Sequence, residues 1–282
     1  MFSYRHAFHA GNHADVLKHV VLLALLRHLH RKDTACWLVD THAGGGWYEL
    51  TEPSARRKEE FAGGIGALYD EDPAGLPEAL ADYLGQVRGF NPSGRLLRYP
   101  GSPALLEATM RPQDRLRLYE LHPTEIEVLR SRLPDNRRIR TERADGFTAL
   151  RAILPPPSRR GLVLIDPSYE DKNDYRRVRQ TLRDALERFA TGVYAIWYPR
   201  VRRHESERMA AALQQMIGQD WLHAWLDVDA APADGLGLYG SGMFVVNPPW
   251  TLPTALEPVL PVLVDRLGRS RAAGSGLDHR IR

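Results

Sequence analysis

The chain has 282 residues, 43% hydrophobic and 26% charged, proportions ordinary for a soluble globular protein with one large domain or one domain carrying an inserted lobe. Net charge is only +3, yet just four lysines stand among the 38 Lys and Arg residues; arginine suits bidentate phosphate contacts and base stacking, although an arginine-rich genome gives the same bias. Single Cys36 excludes an intramolecular disulfide framework, no apolar leader opens the chain, and the longest apolar stretch (residues 20–26) is far too short to cross a bilayer, so a soluble cytoplasmic protein is expected.

The N-terminal segment places His6, His9, His13 and His19 within fourteen residues. A metal site is a poor fit: Gly11-Asn12 interrupts any helix between His9 and His13, cysteine ligands are absent, and no H-E-x-x-H arrangement occurs. The segment instead reads as capping or surface histidines, or as a strap over a cleft. Residues 15–29 then carry apolar side chains at helical spacing, and residues 35–39 read as a strand running into Asp40-Thr41-His42-Ala43-Gly44-Gly45-Gly46. The stretch 47–100 lacks strong strand signals and offers amphipathic helical pieces at 59–69 and 78–87.

Residues 115–121 alternate as a strand containing Glu120, and 137–141 form a shorter strand before Asp145-Gly146 and a helix at 147–154, stopped by Pro155-Pro156-Pro157. Gly161-Leu162-Val163-Leu164-Ile165 is an uninterrupted apolar run, the pattern of a parallel strand buried on both faces, and it ends in Asp166-Pro167-Ser168-Tyr169. Further strands are expected at 192–198, 222–228 and 243–246, with a helix at 205–217 and a flexible Gly/Ser/Arg-rich tail from 268 to 282. Strands alternating with helices predict an α/β fold with a mainly parallel sheet covered on both faces.

Asp40, Glu120, Asp145 and Asp166 all fall at or just past predicted strand ends, where open α/β sheets place their chemistry. Each alone suits a helix cap or a turn. Together they describe an adenosine pocket: a glycine turn for close backbone approach, a carboxylate for ribose hydroxyls and another for an adenine amine. The glycines lack G-x-G-x-x-G spacing, and Glu120 lies far beyond the roughly 20 residues that usually separate turn and ribose carboxylate, which implies an insertion at 47–100. At Asp166 an acceptor carboxylate, a rigid carbonyl and an aromatic ring suit a planar amine such as that of a base.

The runs YRHAFHAGNHADVLKH, LVDTHAGGG, YPGSP, YELHP, ADGF, RRGLVLIDPSY and ATGVYAIWYP resemble the RlmJ-type large-subunit ribosomal RNA adenine-N6 methyltransferases, from about Phe2 to Trp250. The resemblance implies a class I S-adenosylmethionine-dependent methyltransferase: a Rossmann-like, seven-stranded, mainly parallel sheet with one antiparallel strand and a small helical insertion. It divides the chain into a methyltransferase domain at 1–46 and 101–267 and an insertion subdomain at 47–100. It assigns His19, His42, Ser102, Glu120, Asp145, Gly146 and Asp166 to the methyl donor, Asp166, Pro167 and Tyr169 to the target amine and base, His6 and Lys18 to the active-site wall, and Tyr4 to the RNA. S-adenosyl-L-methionine is the implied cofactor, with no metal. The implied partner is 23S ribosomal RNA, naked or in an early assembly intermediate, met by a monomer. One departure stands out: Ser168 occupies the third place of the family's Asp-Pro-Pro-Tyr.

Three other readings compete. A DNA adenine-N6 methyltransferase would share the Asp166 tetrad. A nicotinamide-dependent oxidoreductase would share the adenosine pocket but lacks the dinucleotide fingerprint. A non-catalytic RNA-binding protein would explain the arginines (clusters at 137, 138, 140; 159, 160; 200, 202, 203) but not the strand-end carboxylates.

Overall fold

A computed structural model describes residues 6–51, 60–233, 235 and 237–281. A short turn at His6–Phe8 leads into helix α1, His13–Leu29. Asn12 starts that helix: its side-chain oxygen accepts from the backbone N–H groups of Ala14 and Asp15. Most of α1 is buried because it packs on the sheet on one side and on the insertion helix on the other, which explains its nearly all-round apolar sequence.

The central sheet has strands β1 (Trp37–Asp40), β4 (Arg115–Tyr119), β5 (Ile139–Glu142), β6 (Gly161–Ile165), β7 (Val193–Arg200), β8 (Trp221–Asp227), β9 (Gly240–Val246) and β10 (Gly274–Arg280). Their order is β10-β8-β9-β7-β6-β1-β4-β5. β1 pairs in parallel with β4 and with β6, and β5 and β7 extend that parallel run on either flank. β9 then inserts antiparallel between β7 and β8. The expected seven strands are therefore present, and an eighth corrects the expectation: β10 adds antiparallel to β8. Residues 274–280 are thus not a flexible tail. Their Gly/Ser-rich sequence carries little apolar signal, and the order comes from main-chain pairing along a partner strand that sequence does not reveal.

Strands β2 (Trp47–Glu49) and β3 (Arg98–Pro100) pair antiparallel and bracket the segment between them, a pairing the sequence did not signal. Within it, α2 (Glu78–Gly89) follows the expected periodicity. The helix expected at 59–69 is instead broken into two short 3-10 turns, Glu60–Gly63 and Ile65–Ala67. Gly64 explains the break: a Cβ there would lie 2.1 Å from the Gly11 carbonyl oxygen, which accepts the Ile65 N–H at 2.8 Å. Close packing on the N-terminal segment overrides helical spacing.

Helices α3 (Ser102–Thr109), α4 (Pro123–Arg132), α5 (Gly146–Ile153), α6 (Asn173–Arg188), α7 (His204–Glu207), α8 (Met209–Met216), α9 (Leu252–Leu256) and α10 (Val259–Leu267) complete the layers. The helix expected at 205–217 is split into α7 and α8. At β1 the order reverses, since successive strands step one way to β4 and β5 and the other way to β6 and β7. Such a switch point opens a crevice beyond the carboxyl ends of the strands.

Candidate active site

That crevice is a cavity of about 560 Å³. His42, Gly44, Ser102, Glu120, Asp145, Gly146, Pro167 and Asp166 all line it, brought together from the ends of β1, β4, β5 and β6 and the turns that follow them, with Ser102 from the start of α3. Gly44 and Gly46 take positive φ, +61° and +88°, so the turn after β1 bends in a way that favours glycine. The Glu120 carboxylate accepts from the backbone N–H groups of Gly44 at 2.8 Å and His122 at 2.7 Å. These two bonds fix its orientation and leave further lone pairs for hydroxyl donors. Burial raises its carboxyl above the usual range, opposed by those two backbone donors.

Asp145 caps α5 by accepting from Phe147 N–H at 3.0 Å. Its second oxygen pairs with Arg177, whose guanidinium lies 4.2 Å over the Phe147 ring. Phe147 and Arg177, unassigned from sequence, are the aromatic and cationic walls of this end of the cavity. His42 meets Phe147 edge-on at 4.7 Å, and burial lowers its imidazole to about 3, so it stays neutral. Gly146 has no room for a side chain: a Cβ would sit 1.9 Å from the Thr41 carbonyl oxygen. Ser102 donates to Asp40 at 2.7 Å. Asp40 is fully buried behind the cavity, and burial pushes its carboxyl up to about 6 against that hydrogen bond.

His19 is placed differently from the rest. It is fully buried, bonds Tyr99 through Nδ1 at 2.8 Å, and does not line the cavity. Its Nε2 is buried with no hydrogen-bond partner among the described residues, and burial lowers the imidazole to about 3. Tyr4 lies outside the described residues.

A second cavity of about 400 Å³ lies across Asp166, and Asp166, His6, Lys18, Ser168 and Glu170 line both. Here the N-terminal strap supplies a relay of charges. His6 Nε2 meets Asp15 at 2.9 Å, Asp15 meets Lys18 at 2.8 Å, and Lys18 Nζ donates to Asp166 at 2.6 Å. Burial alone would lower the Lys18 ammonium; the Asp15 and Asp166 carboxylates outweigh it and hold the charge. Burial raises the Asp166 carboxyl above its ordinary value, with Lys18 pulling the other way. The spacing Asp15-x-x-Lys18 on α1 is the one sequence signal that could have exposed this pairing.

Tyr169 adopts a left-handed backbone, φ 54°. Its ring packs against Tyr175 and Trp197, its hydroxyl donates to the Trp197 carbonyl at 2.7 Å, and it forms part of the second cavity's wall. Only 3% of it is exposed, so it is a fixed wall. The four N-terminal histidines separate: His6 faces Asp15, His9 faces Glu60, His13 is buried and His19 joins Tyr99. Most of the arginine clusters serve the fold. Arg160 donates to the carbonyls of Leu29 and Thr34 behind α1, Arg200 pairs with Asp227, and Arg140 pairs with Asp135.

A doubly wound sheet with a carboxylate-lined crevice at its switch point, and an Asp-Pro-Ser-Tyr turn between that crevice and a second pocket, defines a class I S-adenosylmethionine-dependent methyltransferase. The residues present fit that cofactor. Oriented Glu120 and the Asp145–Phe147–Arg177 wall are polar and aromatic features that a nucleoside with an amino-acid tail would satisfy. The family described as "Ribosomal RNA large subunit methyltransferase D, RlmJ" matches residues 33–279, and the chain belongs to it. It is 46% identical over 267 residues to Ribosomal RNA large subunit methyltransferase J of Escherichia coli (strain K12), covering 95% of this chain and 94% of the relative. The Haemophilus influenzae protein of the same name is 43% identical over 268 residues, with the same coverage. The crystal structure of protein LPL1258 from Legionella pneumophila str. Philadelphia 1 matches with a TM-score of 0.86 at 34% identity, covering 96% of this chain and 98% of that one. The family resemblance carried by the sequence motifs is confirmed.

Proposed function

We propose that this enzyme methylates N6 of an adenine in 23S ribosomal RNA, with the RNA naked or in an early assembly intermediate. The observation that carries the reading is Asp166: its carboxylate, paired with buried Lys18, lines both cavities, so a donor on one side and a base on the other would meet at it. The names of the two curated relatives point to the same substrate.

When bound, S-adenosylmethionine supplies an electrophilic methyl group on a sulfonium. Adenine N6 is a weak nucleophile because its lone pair is delocalised into the ring. Asp166 accepts one N–H of the amine and the Pro167 carbonyl accepts the other, which favours a pyramidal nitrogen with its lone pair free. Positioning of this kind can lower a barrier by several kcal/mol. N6 must lose a proton as it gains the methyl group, and Asp166, its carboxyl raised by burial, is the group placed to take it. Lys18 holds the carboxylate in place and stabilises its charge before transfer. Trp197 and Tyr169 wall a pocket for a base that is unpaired or flipped out.

Labelled donor should transfer methyl to deproteinised 23S RNA and to neither genomic DNA nor the finished large subunit, and nucleoside digestion should recover N6-methyladenosine. Label on DNA, or on a different RNA position, would overturn the reading.

A further inference from the structure

We infer that Arg203 holds the phosphate of the target nucleotide at the mouth of the second cavity. The inference rests on the RNA reading above and deepens it. Asp15, Glu60, Asp166 and Glu170 line this cavity, an acidic setting that suits a base amine and opposes a phosphodiester. The base can enter only if its phosphate stays where a cation outweighs those carboxylates.

The basic groups lining the cavity are not equivalent. Lys18 is committed between Asp15 at 2.8 Å and Asp166 at 2.6 Å, with only 5% of its side chain exposed. His6 and His9 each face a carboxylate. Arg203 lines the same cavity, is half-buried, and makes no ion pair with a carboxylate among the described residues. It donates through Nη1 to the carbonyl of Tyr169 at 3.1 Å, a neutral acceptor. Its neighbours are spoken for: Arg200 pairs with Asp227, and Arg202 donates to the Ala233 carbonyl.

A planar guanidinium carries five N–H donors in a fork matched to phosphate oxygens, so one bond to Tyr169 leaves donors for the nucleotide. The Tyr169 carbonyl belongs to the turn that carries Asp166. One side chain therefore ties the phosphate to the turn that orients the amine, and a nucleotide gripped there sets the depth of its base relative to Asp166.

The test is single-turnover methyl transfer onto a short 23S RNA hairpin at several potassium chloride concentrations. Wild type is compared with Arg203→Gln and Arg203→Lys. Arg203→Gln should raise the half-saturating RNA concentration about tenfold. It should also lower the slope of log affinity against log salt by about 0.7–0.9, the loss of one phosphate contact. Arg203→Lys should keep the slope, because it keeps the charge. A residue that only braces the Tyr169 turn would slow transfer and leave the slope of Arg203→Gln at the wild-type value, and that result overturns the inference. Wild-type protein that does not methylate the RNA would overturn the function and the inference together.

Discussion

Asp166 and Lys18 form the buried pair on which the chemistry turns. The ammonium is held between two carboxylates, so it offers the active site orientation and charge stabilisation rather than a mobile proton. Asp166→Ala should abolish methyl transfer, because it removes the carboxylate that lines both cavities and is paired with buried Lys18. Asp166→Asn keeps an acceptor oxygen and loses the charge, a change worth roughly 10- to 1,000-fold in rate. The pH dependence follows the same carboxylate. Burial raises it, so wild-type activity should fall on acidification through a value above the ordinary 3.8, and Asp166→Asn should lack that acid limb. Single-turnover rates across pH decide it. Wild-type rates in Asp166→Ala, or an unchanged acid limb in Asp166→Asn, would refute this account.

Among the elements, the contact between α5 and the end of β1 is the most exacting. Gly146, the first residue of α5, sits against the Thr41 carbonyl with no space for a methyl group. Gly146→Ala must push the helix N-terminus away from the turn after β1, moving Asp145, Phe147 and His42 together. The expected result is at least a tenfold loss of affinity for S-adenosylhomocysteine, together with a destabilisation of about 1–3 kcal/mol from overpacking. Calorimetry of a folded Gly146→Ala variant with wild-type affinity would show that this approach does not shape the pocket. Helix α1 works differently. Asn12 fixes where it begins, and that start sets the turn on which Asp15 and Lys18 face Asp166.

At the scale of the molecule, burial of neutral histidines makes stability depend on pH. His13 and His223 are lowered to about 4 and His19 and His42 to about 3, each by burial first, from an ordinary 6.5. The folded state binds these protons less readily than the unfolded chain, so the stability they supply is complete above pH 6.5 and is lost as pH falls toward 4. Asp40 acts in the opposite sense. Raised to about 6 from 3.8, it favours the folded state as pH falls through that window. The four histidines outweigh Asp40, giving a net loss of roughly 4–6 kcal/mol between pH 7 and 5. Urea midpoints at the two pH values check the sign. An equal or higher midpoint at pH 5 would contradict it.

Much of this enzyme was legible in its residues. The apolar run 161–165 could only be a strand buried on both faces, and β6 is buried at every position. Strand-end carboxylates collected at one crevice because a parallel sheet points its carboxyl ends the same way. The N-terminal run and the Asp166 tetrad carried the family. Tertiary structure alone decided the rest. Asp15, Phe147, Arg177 and Arg203 gained their places from elements that meet only after folding, and the sequence spacing of Arg203 from Asp166 says nothing of their shared cavity. Residues 274–280 became a strand because β8 offered an open edge, a main-chain interaction that side-chain pattern does not encode. His19 went behind the cavity wall because α1 is packed on both sides, which local periodicity cannot distinguish from packing on one.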